Sequence, residues 1–156
     1  MANAQTVAAI QMVSTRDIDD NLNQASRLLA RAAEQGARVA VLPENFAVLD
    51  TDNMPLHGGR EVDSGGPIRG FLAEQARKHG LWIVGGSLPI AARPDGSALE
   101  NRVRASCVVV DDQGTEVARY DKIHLFDAMV EDSQGQYRES DTFEPGEQLV
   151  TVDTPV

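Results

Sequence analysis

The stretch Val39-Ala-Val-Leu-Pro-Glu-Asn-Phe46, "VAVLPENF", runs four apolar residues into a proline and then presents a carboxylate. An apolar run stopped by Pro43 reads as a buried strand, because proline removes a ladder donor and fixes the chain direction as the strand ends. Upstream, Ile18, Leu22, Ala25, Leu28, Leu29, Ala32 and Ala33 recur at helical spacing within residues 17–35. Ser14, Thr15 or Asp17 is placed to cap that helix and Gly36 to end it. Residues 6–12, "TVAAIQM", form a short and largely apolar run that reads as another buried strand. Downstream, residues 67–79 read as a helix with Pro67 in its first turn and Gly80 as its stop, and residues 81–84 as a third strand. The order β-α-β-α-β predicts parallel strands whose connecting helices lie on the sheet faces.

After Ser87 the pattern changes. "RPDG" (93–96) and "DDQG" (111–114) are turn sequences between strand-like runs, so residues 99–110 and 115–120 are expected to pair antiparallel. Residues 121–146 are polar and carry Gly135, Pro145 and Gly146, which predicts loop with a short helical turn, before a last strand at 148–152. The fold class is α/β with a mixed sheet. Open α/β sheets bind ligands beyond the carboxyl ends of their strands, which is where residues 43–45 fall.

At 156 residues with 42% apolar composition the chain has the material for one domain core. A formal charge of −10 repels phosphate backbones and anionic lipid, so neither nucleic acid nor a membrane surface is an expected partner. The apolar runs "VAVL", "LWIV" and "CVVV" fall far short of a membrane span, and "MANAQTVAAIQ" lacks the charged start of a signal peptide. The single cysteine, Cys107, cannot close an internal disulfide, which fits a reducing compartment. A cytoplasmic protein is the expectation.

P-loop, dinucleotide-binding, HExxH and GxSxG patterns are all missing from the sequence. "GGPIRG" and "VGGSLP" resemble glycine-rich loops only superficially and read better as tight backbone packing. His57, His79 and His124 are far apart and accompanied by no ligand pattern, so no metal is expected. Glu44 reads either as a solvated loop acid or as a rigidly held carboxylate that exchanges a proton. Lys122 reads either as an exposed surface lysine or as a fixed cation facing a developing oxyanion. Phe46 and Phe126 follow these two residues and are expected to pack their loops in place, and Asn45 to hold the Glu44 loop through its side chain.

"LPENF" around Glu44, "DKIHLF" around Lys122 and "YRESDTFEPG" (137–146) stand in order along the chain. Together with "LWIVGGSLP" and "GTEVARYDK", they resemble the nitrilase superfamily of carbon-nitrogen hydrolases, nearer its amidase branch than the true nitrilases. The resemblance implies the N-terminal part of a four-layer α-β-β-α sandwich with mixed sheets, residues 1–156 being one hydrolase domain incomplete at its C-terminus. It implies a Cys-Glu-Lys triad. Glu44 would be the general base, Lys122 the oxyanion stabiliser and Glu139 a second glutamate that orients the site. The acidic cluster 127–132 would border the substrate mouth, and His124 would line the pocket or make a structural hydrogen bond. The substrate would be a small linear carboxamide, such as an omega-amide of a 2-oxo acid, cleaved without metal or organic cofactor. Homo-oligomers are implied as well.

The nucleophile of such enzymes sits on a strand-to-helix turn downstream of these motifs, and "QLVTVDTPV" (148–156) resembles the strand before it. Cys107, inside "RASCVVVDD" and upstream of Lys122, reads as a buried structural thiol. Two expectations follow: the 156 residues alone do not hydrolyse amides, and sheet surface that the rest of a sandwich would cover stands open. The alternatives are a non-catalytic homologue serving as a binding or assembly partner, and a doubly wound ligand-binding domain sharing the motifs by chance.

Overall fold

Asp17 is the candidate cap that starts helix α1 (Ile18–Glu34), its carboxylate accepting the Asp20 N–H at 3.0 Å. Thr15 instead receives the Asp17 N–H on its hydroxyl. Such a cap contributes about 1 kcal/mol. Gly36, at φ +80°, turns the chain out of α1 into strand β2 (Ala37–Val41). Helix α3 (Pro67–His79) starts on its proline and ends on Gly80 at φ +61°. The start of α3 is also held by Glu61, which is fully buried and accepts the N–H groups of Ile68 and Arg69 at 2.8 and 3.0 Å. Burial pushes the Glu61 carboxyl above the usual range, and the two amide bonds oppose that rise.

The computed structural model describes residues 5–129 and 135–156. Besides these elements it contains β1 (Thr6–Ala9), α2 (Met54–Gly59), β3 (Trp82–Val84), β4 (Leu88–Ile90), β5 (Arg104–Val110), β6 (Glu116–Asp121), β7 (Asp127–Met129) and β8 (Gln136–Arg138). A six-stranded sheet runs β1-β2-β3-β5-β4, with β6 also paired to β5. The β1-β2-β3 pairs are parallel, and those that β5 makes with β3, β4 and β6 are antiparallel. Because Ser106 pairs with both Leu88 and Asp121, and Val109 with both Val84 and Ala118, β3 and β4 share one edge of β5 while β6 occupies the other. β3 and β4 are thus one strand path, interrupted at residues 85–87.

Helices α1 and α3 cover one face. Ala40, Ile83, Val108 and Val110 point into a core with Ala25, Leu29, Ile68 and Leu72. On the opposite face Val7 and Val41 are exposed, and Trp82, Val84 and Cys107 are half-buried. Among the described residues no helix is long and apolar enough to cross a membrane.

The structure corrects several sequence expectations. β1 stops at Ala9 and is largely exposed, because it is the edge strand rather than a central one. Residues 99–102 are not strand, and regular pairing in β5 starts at Arg104. β4 is the strand-like run before "RPDG" and includes Pro89, whose missing N–H an edge position tolerates. Residues 121–146 hold the β7-β8 hairpin as well as the foreseen helical turn, Glu139–Asp141. Residues 148–152 form no strand. Helix α2 was not foreseen from "MPLHGG".

Glu144 ties the segment after this turn to the sheet. Arg93 donates to both its oxygens at 2.8 and 2.9 Å, and Arg102 and Arg104 add further contacts. Arg104 also bonds the Pro145 carbonyl. Hydrogen bonding by Arg93, then the charges of Arg104, Arg93 and Arg102, hold the Glu144 carboxyl below the usual range against a burial penalty. A depressed folded-state value stabilises above the unfolded carboxylate range and loses that contribution as pH falls through the folded value. Urea midpoints are therefore expected to fall below about pH 4.5, and Glu144→Gln to flatten that fall; identical pH profiles would remove this network from the acid transition.

Candidate active site

Glu44 lies in the turn that leaves β2. Leu42 N–H still bonds Val84 O at 2.9 Å, after which Pro43 turns the chain off the sheet. Asn45 stands at φ +52°, the one non-glycine with positive φ among the described residues. Phe46 then drops back into the core with no exposed surface. The following loop is tied to the start of α1. Ser14 Oγ donates to Phe46 O, and buried Asn21 donates from Nδ2 to Ala47 O. Glu44 itself projects outward, its side chain 61% exposed.

Lys122 leaves the end of β6, with its N–H on Ala105 O at 2.9 Å and its carbonyl receiving Gly146 N–H at 2.8 Å. Its Nζ lies 3.1 Å from Glu44 Oε1 and 2.9 Å from each oxygen of Glu139. Glu139 opens the helical turn after β8 and also accepts the Phe126 N–H on Oε2 at 2.6 Å. Asp127 Oδ1 accepts the next N–H, from Ser140, at 3.0 Å. Burial on its own pulls the Lys122 ammonium down. Hydrogen bonds to Glu139 and Glu44, with their charges, outweigh it and hold the group above the ordinary lysine value, so it is cationic at neutral pH.

The three residues named from the sequence, 78 and 17 positions apart, therefore meet around one nitrogen. They face a cavity of about 460 Å³ bounded also by Phe126, Tyr137 and Phe143. An ammonium between two carboxylates, opening on a partly apolar cavity, can counter a developing negative oxygen while a carboxylate beside it exchanges a proton.

Other expectations sort differently. Phe46 packs in the core as foreseen, but Phe126 does not: it is 52% exposed and sits edge-on to Tyr137, with ring centroids 5.4 Å apart. Its ring is among those that bound the cavity. Cys107 is half-buried rather than buried, since its β5 position faces the side the helices leave uncovered. Its thiol is pushed up by burial, opposed by a hydrogen bond with the Gly85 backbone, and it does not bound the cavity. His124 is exposed and does not bound the cavity either. His57 pairs with Asp50 at 3.3 Å, and burial lowers His79 at the end of α3. Of the acidic cluster, Asp127 caps the Ser140 N–H, while Glu131 and Asp132 lie outside the described residues. Among the described residues no group of three or more His, Cys, Asp or Glu is placed to hold a metal. Tyr137 and Ser87, both near the site, were not singled out from the sequence; the glycine pair before Ser87 was the available signal.

Residues 6–156 match the family model described as carbon-nitrogen hydrolase. The chain is 38% identical over its whole length to the deaminated glutathione amidase of Yersinia enterocolitica, covering 52% of that protein. It is 37% identical to the omega-amidase NIT2 of Danio rerio, with 96% of this chain and 50% of that protein aligned. Among solved structures, Saccharomyces cerevisiae Nit3, of branch 10 of the nitrilase superfamily, superposes with a TM-score of 0.76 at 25% identity, over 96% of this chain and 51% of that one. An amidase from Nesterenkonia sp. AN1 superposes at 0.72 with 26% identity, over 93% and 51%, and one of its structures carries acrylamide added at the active-site cysteine. The chain spans about half the length of the curated relatives it matches.

Proposed function

The chain belongs to the carbon-nitrogen hydrolase family, and from that premise we propose that Glu44, Lys122 and Glu139 are the acid-base and electrostatic part of an amidase site that converts a small linear carboxamide to carboxylate and ammonia. The observation that carries this reading is the Lys122 ammonium shared between the two carboxylates at 2.9 to 3.1 Å. The nucleophile is a thiol outside these 156 residues, because Cys107 is held within β5 and away from the cavity.

Glu44 takes the thiol proton, and the thiolate attacks the amide carbon while the carbonyl electrons move onto oxygen. Lys122 has three N–H donors, and the three contacts at Nζ engage all of them at rest. Once Glu44 is protonated its pull on one donor weakens. That donor becomes available to the oxyanion at the step in which the oxyanion forms. Collapse of the tetrahedral species breaks the C–N bond; Glu44 returns the proton to nitrogen, ammonia leaves and a thioester remains. Water, losing a proton to Glu44, then attacks the thioester; the C–S bond breaks, Glu44 returns that proton to the departing sulfur, and the acid formed loses its own proton to solvent. Glu139 keeps the ammonium in register by bonding it while anchored to Phe126 N–H.

Ammonia release from a panel of carboxamides by the full-length protein tests the reading. Turnover is expected, and Cys107→Ser is expected to leave it within about twofold. Turnover lost with Cys107 would move the nucleophile to β5; absence of turnover on any amide would favour the non-catalytic assembly partner.

A further inference from the structure

Glu44 has an exposed side chain with Lys122 as its hydrogen-bond partner, so its aim depends on the backbone of its own turn. That turn leans on the interruption between β3 and β4. Gly85 N–H bonds Val108 O at 2.8 Å, and Gly86, at φ +56°, presses so closely on Pro43 that a Cβ there would overlap the Pro43 carbonyl. The chain then delivers Ser87 Oγ to Asn45, where it accepts the Asn45 N–H at 2.9 Å and approaches Asn45 Oδ1 at 3.5 Å. Asn45 is in the left-handed region, which costs an L-residue about 1–2 kcal/mol and persists where surrounding structure holds it. Immediately beyond, Phe46 is locked in the core. Should Asn45 relax to negative φ, Phe46 cannot follow, and the movement falls on Glu44.

We propose that Ser87 is a positioning residue: by latching the Asn45 N–H it keeps that residue left-handed and so aims Glu44 at Lys122 and the reacting atoms. This rests on reading Glu44 as the base. It gives "VGGSLP" a role, the glycines allowing the close approach and the serine making the bond.

A misplacement of about 1 Å can cost about 100-fold in rate. In the full-length protein, Ser87→Ala is therefore expected to lower kcat by about 10- to 100-fold with KM nearly unchanged, and Ser87→Thr, which keeps the hydroxyl, to recover most of it. Asn45→Gly, free to take positive φ, is expected to lose less than Asn45→Ala. Hydrogen exchange of the Asn45 amide, followed by NMR, reads the latch without activity: protection is lost in Ser87→Ala and kept in Ser87→Thr. A kcat within twofold of the parent in Ser87→Ala, or unchanged Asn45 exchange, overturns the proposal. So does a loss of kcat that tracks a lowered Tm and is not recovered by threonine. If Glu44→Gln leaves turnover intact, the base reading fails while the exchange measurement still decides whether Ser87 holds the turn.

Discussion

Glu44→Gln in the full-length protein is expected to reduce kcat/KM for a carboxamide by about 10²- to 10⁴-fold, the range for a lost general acid-base group, with no measurable change in Tm. The two halves of that expectation come from different features. Glutamine keeps an oxygen toward Lys122 Nζ at the 3.1 Å position but cannot take up a proton. Stability is untouched because the carboxylate is largely solvated and its ion pair with Lys122 lies at the surface, where such pairs contribute about 0–1 kcal/mol. Ammonia release and calorimetry on the same preparation check both. Parent-like turnover would remove Glu44 from the chemistry, and a large drop in Tm would make it structural.

Two residues along, the balance reverses. Phe46→Ala is expected to cost about 3–5 kcal/mol, the range for emptying a buried aromatic site. Phe46 has no exposed surface and lies in the core cluster with Leu42, Val48 and Met54. Against a total stability of about 5–15 kcal/mol for a domain, that is a substantial fraction. Urea denaturation should show a lower midpoint at unchanged slope; a loss below about 1.5 kcal/mol would mean that the surroundings collapse into the space.

The sequence reading was strongest where local physics decides. Helical spacing and end signals placed α1 and α3, and the residues around Pro43 placed Glu44 at a strand end. Glu139 was named, and the open reading of Lys122 decided, through resemblance, because no periodicity shows that residues so far apart meet at one nitrogen. The misses share a cause. Glu61 was not singled out from the sequence, and it is buried where it accepts the first N–H groups of α3. Ser87 gains its role from Asn45, 42 residues away. Each depends on a partner in another segment, seven and eight residues away for Glu61 and 42 for Ser87.

Both sides of the site hang from one strand. The interruption that latches the Glu44 turn is pinned to Val108 O, and Lys122 is pinned to Ala105 O on the other edge of β5. Three residues of extended chain, about 10 Å, thus act as the ruler between Glu44 and Lys122. A one-residue slip of β6 would carry Lys122 about 3.4 Å along the sheet and turn it to the opposite face. In evolutionary terms, the length of β5 is constrained independently of the side chains it carries. An insertion or deletion between Ala105 and Val108 would shift Lys122 against the Glu44 turn without changing Glu44, Lys122 or Glu139 themselves.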